Sequence, residues 1–185
     1  KIFSFLIILF KSKFIFKKPG YSHVIFIGKP IFHFDLFSKK NFINLIANQN
    51  NTLAIWGEYY NFQILLRCLI IFKFSIIDYC EEYINQVNPK VVITLLDNND
   101  IIYKLKLKKI KKIAIQQAYR YGSNVLDFKK EKINKNSLDY LFVYNKSIGN
   151  VYRKKLDTNI DEIGSFLLND INLNKNSKIL YKYLY

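Results

Sequence analysis

Glu58 and Asp97 are the two carboxylates whose positions suggest chemistry, because each directly ends a run that reads as a buried strand. TLAIW (52–56) is closed by Gly57-Glu58, and KVVITL (90–95) runs into the turn Asp97-Asn98-Asn99-Asp100. Other polar residues stand in the same relation to short apolar runs. Gly28, Lys29 and His33 follow HVIFIG, and Gln116, Gln117, Tyr119 and Arg120 follow KIAI. Asn145 and Lys146 follow LDYLFVY, and Gly164 and Ser165 follow a last short run at 160–163. In open parallel sheets ligands bind outside the carboxyl ends of the strands, so these residues mark the edge where a site is expected. Each also has a structural reading. Asp97 and Asn98 serve equally as helix caps, Glu58 as the first turn of a helix and His33 as a plain loop residue, while Asn99 and Asp100 read as caps.

Several established constellations are missing. No GxGxxG follows the first strand and no GxxxxGK[ST] occurs, which removes the usual supports for dinucleotide and P-loop binding. A GxSxG nucleophile turn is absent as well. DNND resembles an acidic metal loop only superficially, and no His or Cys cluster supplies a transition-metal site. Cys68 and Cys80 lack metal or redox spacing and read as buried thiols in a reducing compartment.

The elements that must position these residues alternate. Strands are expected at 23–28, 52–56, 90–95, 112–115, 138–144 and 160–163, with helices at about 35–47, 60–72, 76–86, 101–108 and 147–156. Glu81 and Glu82 are expected on the exposed side of the third helix, which Pro89 stops. The stretch 118–137 is irregular and charged. Short apolar strands alternating with helices predict an α/β fold, a doubly wound, mostly parallel Rossmann-like sheet with helices on both faces.

The chain has 185 residues, half of them hydrophobic, which is ample for a core and rules out a disordered tail. Residues 1–18 form a basic and apolar segment, with a helix expected over 2–16 that either sits on anionic lipid or packs on the domain. It is too short to span a bilayer, which takes about 20 apolar residues. Residues 21–168 read as the Rossmann-like domain, 169–177 as an Asn-rich linker and 178–185 as the first strand of a further domain. The sequence begins at Lys1 and contains no Met, so a piece of a longer protein is expected.

The formal charge of +15 would ordinarily point to nucleic acid or an anionic membrane. It is nearly all Lys, however, the arginines being Arg67, Arg120 and Arg153, and it accompanies an excess of Ile, Asn, Phe and Tyr that an AT-rich coding sequence produces whatever the function. Arginine clusters that read base edges or clamp phosphates are missing. A basic nucleic-acid-binding module with Tyr and Phe as stacking platforms is the alternative. It is disfavoured because the aromatics fall mostly within strands and apolar helices.

The order WGEYYN, VNPKVVITLLDNND with IIYKL, IAIQQAYR, DYLFVYN and IGSF resembles the N-terminal half of bacterial surface-carbohydrate biosynthesis proteins of the GT-B glycosyltransferase type. The likeness runs from about residue 21 to 166, and residues 89–98 and 116–120 carry most of its specificity. One departure is Gln117-Ala118, where that family tends to have Asn-Gly, since Ala suits a turn of positive φ poorly. The resemblance implies an acceptor-binding domain of a metal-independent transferase, inactive alone. It implies Glu58, Asp97 or His33, in that order, as the base that deprotonates an acceptor hydroxyl. Gly57, Asn98, Gln116, Gln117, Gly164 and Ser165 would line the substrate, and Arg120 would hold an anionic acceptor or the donor diphosphate. No cofactor is expected on this chain, because the nucleotide-sugar donor would need the second domain. The expected partner is a carbohydrate or lipid-linked acceptor, met in the cytoplasm at the inner face of an anionic membrane.

Overall fold

The computed structural model describes residues 12–28, 52–55, 59–117 and 137–164. Six strands form one parallel sheet: β2 (Val24–Gly28), β3 (Thr52–Ala54), β5 (Val91–Thr94), β6 (Lys111–Ile115), β7 (Tyr140–Val143) and β8 (Asn159–Glu162). Their order across the sheet is β3-β2-β5-β6-β7-β8, every pair parallel. The chain adds one neighbour to one side of β2 and then all later strands to the other, so the winding reverses between β2 and β5. The expected α/β, Rossmann-like fold is what the chain forms.

β-branched and aromatic residues make the inner strands β2 and β5 because both faces are buried there, whereas β8, at the sheet edge, buries Ile160 alone. Ile25, Ile27 and Val92 enter the main core, whereas Phe26, Ile93, Leu95 and Ile115 form a smaller cluster. The helices are α1 (Phe62–Ile70), α2 (Ile76–Val87), α3 (Asp100–Lys104) and α4 (Lys146–Arg153). Each supplies buried side chains to the main core, among them Ile64, Ile84, Ile102 and Ile148. Local chemistry sets their limits. Ser75 and Asp78 form a reciprocal capping box at the start of α2, and Asn88 ends it in the left-handed region at φ 54° just before Pro89. Asn99 and Asn145 cap α3 and α4 through their side-chain oxygens.

Three expectations are corrected. Residues 13–15 lie in a strand, β1 (Lys13–Ile15), rather than in a helix over 2–16. The helix expected from residue 60 begins at Phe62, because β4 (Tyr59–Asn61) pairs in parallel with β1. Asn61 is the pivot: its side chain accepts from Ile64 N–H, and its Nδ2 donates to Lys17 O at 2.7 Å. Glu82 is buried, not exposed, because Arg67 Nε reaches its carboxylate at 2.6 Å. The segments expected at 35–47, 118–137 for its greater part, 169–177 and 178–185 lie outside the described residues.

Candidate functional site

The winding reverses between β2 and β5, and the carboxyl ends of two such strands are the usual ligand position, a crevice, in open α/β sheets. Thr94 shapes its floor. Its hydroxyl donates to Ile27 O at 3.0 Å across the strand pair and accepts from Leu96 N–H at 3.0 Å, which turns the chain out of β5. Gly28, the last residue of β2, has φ +150°, and a Cβ there would lie 3.3 Å from Leu96 Cδ1. Glycine is favoured there by the backbone conformation, and a Cβ would in addition press on the end of the Leu96 side chain. Leu96 in turn makes an isolated antiparallel bridge with Gln116. Gly28, residues 96–98 and Gln116 are thus brought to one edge.

Asp97 is wholly buried. Tyr152 Oη, from α4, donates to Asp97 Oδ2 at 2.6 Å, and Tyr103 Oη, from α3, donates to the Asp97 main-chain oxygen at 2.7 Å. Asn99 N–H closes the turn on Leu96 O at 2.9 Å. A carboxylate expected to face the cleft is instead buried, because it and the buried Tyr152 hydroxyl satisfy each other, while Tyr103 fixes the main chain of the same residue. The result is a braced loop. Asn98, at its tip, is exposed.

Gln116 is 1 % exposed and laces β6 to β7. Its N–H donates to Phe142 O at 2.9 Å, and its Oε1 accepts from Tyr144 N–H at 3.1 Å. Its Nε2 has no partner among the described residues. Gln117 is partly buried, its main-chain oxygen accepting from Tyr144 Oη at 2.7 Å. Amides such as Asn98 and Gln116 both donate and accept, which suits a ligand rich in hydroxyls. Gly164 lies elsewhere. It follows β8, three strands from β5, so roughly 14 Å separates it from the crevice. Glu58, His33, Gly57, Arg120 and Ser165 lie outside the described residues. Among the described residues no group of three His, Cys, Asp or Glu is placed to hold a metal ion.

Tyr103, Tyr144 and Tyr152 were not candidates on sequence grounds. Their only signal is that a tyrosine at a buried position needs a partner for its hydroxyl. Tyr152 finds its partner 55 residues earlier, a distance that no local pattern encodes.

The strand order defines an open, parallel α/β domain of Rossmann-like type. Residues 113–185, less than half of the chain, are similar to a family model described as "putative O-antigen biosynthesis protein". That stretch contains Gln116, Gln117 and Tyr152, and the likeness supports an association with surface-carbohydrate biosynthesis. No curated protein and no solved structure matches the chain.

Proposed function

We propose that this chain is the acceptor-binding half of a GT-B-type, glycosyltransferase-like protein of cell-surface polysaccharide biosynthesis. The observation that carries the reading is the buried Gln116 amide, whose Nε2 lacks a partner among the described residues at the carboxyl edge of the sheet. A sugar hydroxyl would satisfy it, with Asn98 as the second, exposed amide. The family likeness over residues 113–185 supports the coarser part of this reading, an association with surface-carbohydrate biosynthesis.

In the transfer, a base takes the proton of an acceptor hydroxyl as its oxygen bonds to the anomeric carbon, and the bond from that carbon to the nucleotide diphosphate breaks. Glu58 is first choice for the base and His33 second, since a base must reach the reacting hydroxyl. The buried Asp97 positions the loop. Arg120 holds an anionic acceptor or the leaving diphosphate. In this reading the donor is held by a second Rossmann-like domain.

A lipid-linked acceptor at the inner face of the membrane fits the surface of β1 and α1. Phe14 meets Phe62 edge to face and Phe16 packs on it at a tilt, with ring centroids at 6.3 and 5.4 Å, and Leu66, Ile70 and Phe72 are also exposed. Lys13 lies in β1, Lys17 and Lys18 follow it and Lys73 follows Phe72, a pairing of apolar surface and positive charge suited to anionic lipid. No described helix is long and apolar enough to cross a membrane. The test is alanine replacement of Glu58, Asp97 and Arg120, one at a time, in a full-length relative. Transfer should fall at least about tenfold in one or more. Three variants with unchanged transfer would contradict the assignment.

A further inference from the structure

At the opposite, amino edge of the sheet the connection from α3 to β6 reads KLKLKKIKK over residues 104–112. It walls a cavity of about 910 Å³ together with residues of α2 and the approach to β7. That volume suits a ligand of nucleotide size. We propose that this cavity binds a phosphate or diphosphate group of a small molecule, a site separate from the crevice at the carboxyl edge.

Two buried groups make its inner wall. Lys112 is 9 % exposed, and its ammonium donates to Leu105 O at 3.0 Å, which engages one of its three protons. Ser137 is 3 % exposed, and its hydroxyl has no partner among the described residues. A phosphate oxygen accepts from both, and such charge-assisted bonds are the strong ones.

The carboxylates that line the cavity are already engaged. Asp78 accepts from Ser75 in the capping box, Glu81 Oε1 accepts from Lys106 N–H at 2.7 Å, and Asp139 takes Lys111 Nζ at 2.7 Å and Lys112 N–H at 2.9 Å. By contrast Lys106, Lys108 and Lys109 are exposed and form no ion pair among the described residues. The chain takes φ 62° at Lys109, a left-handed conformation that bends the lysine run around the cavity mouth. Burial lowers the Lys112 ammonium from its ordinary range against the opposing pull of Asp139 and Glu81. A bound anion would relieve that penalty.

A phosphate can come from a free metabolite or from a lipid headgroup, and two arms separate these sources. In the first, calorimetry measures pyrophosphate binding to the full chain, to Ser137→Ala and to a Lys106→Gln, Lys108→Gln, Lys109→Gln triple variant. In the second, the same proteins are sedimented with phosphatidic acid vesicles. The control removes equal charge outside both the cavity lining and the β1 surface, through Lys90→Gln, Lys146→Gln and Lys154→Gln. None of these substitutions deletes a described side-chain hydrogen bond, so folding is retained, and circular dichroism verifies it. Binding in the first arm should weaken about tenfold in the triple variant and several-fold in Ser137→Ala, with the control unchanged. The same pattern in the vesicle arm alone assigns the phosphate to a lipid headgroup. No loss in either arm, or equal loss in the control, overturns the proposal.

Discussion

Tyr152 Oη donates to Asp97 Oδ2 at 2.6 Å, and both residues are fully buried, which ties α4 to the loop after β5. Tyr152→Phe keeps the ring and removes one donor from a buried carboxylate, a change that costs about 1–3 kcal/mol. Urea unfolding should show a lowered midpoint with an unchanged slope. A variant as stable as the parent would mean that the bond does not brace the loop.

Arg67 and Glu82 join α1 to α2 at 2.6 Å, with the Glu82 side chain 8 % exposed and that of Arg67 58 % exposed. Lys73 stands 4.0 Å away on the other carboxylate oxygen. Arg67→Met strands much of a buried charge, yet Lys73 and solvent compensate in part, so a loss of about 1–2 kcal/mol is expected. Double replacement with Glu82→Gln should recover part of it. Additive losses in that cycle would contradict direct coupling.

Burial, followed by the charge of Glu82, pushes the Cys68 thiol up to about 11 from 9.0. Burial raises Cys80 as well. The folded state therefore holds its thiol protons at a pH where the unfolded chain releases them. Stability from this source is complete below pH 9.0 and is lost as pH rises toward about 11. A thiol reagent at pH 8 should leave both cysteines unmodified in the native chain and label both in urea. Rapid native labelling would contradict their burial.

Phe16 and Phe72 are 66 % and 82 % exposed on the apolar surface flanked by lysines. Replacing both by Ser should leave stability within about 0.5 kcal/mol, because neither is buried. Sedimentation with anionic vesicles should fall several-fold. Unchanged sedimentation would remove this surface from the account.

Most of the architecture was legible because the strands are short, apolar and bounded by polar turns. KVVITL and KIAI announce β5 and β6, and Asn99 and Pro89 announce a helix start and a helix stop. Residues 13–15 and 59–61 were not legible as strands, since their pairing with each other is set by tertiary contact rather than by alternation. Asp97 was found as a residue but not in its orientation. Whether a carboxylate at a strand end faces the crevice or the core depends on Tyr152, which is remote in sequence. Glu82 failed for the same reason, its partner lying on another helix. The lysine run 104–112 was visible only as charge, because the cavity behind it is made by Ser137 and Asp139 from a later segment.

The central claim is that the crevice between β2 and β5 receives the carbohydrate acceptor. Hydrogen exchange of the chain with and without a short-chain polyprenyl diphosphate disaccharide tests it most directly. The account predicts slowed exchange at residues 94–98, 115–117 and 144–148, around Asn98, Gln116 and Tyr144. Unchanged exchange there, or protection confined to residues 104–112, would contradict it.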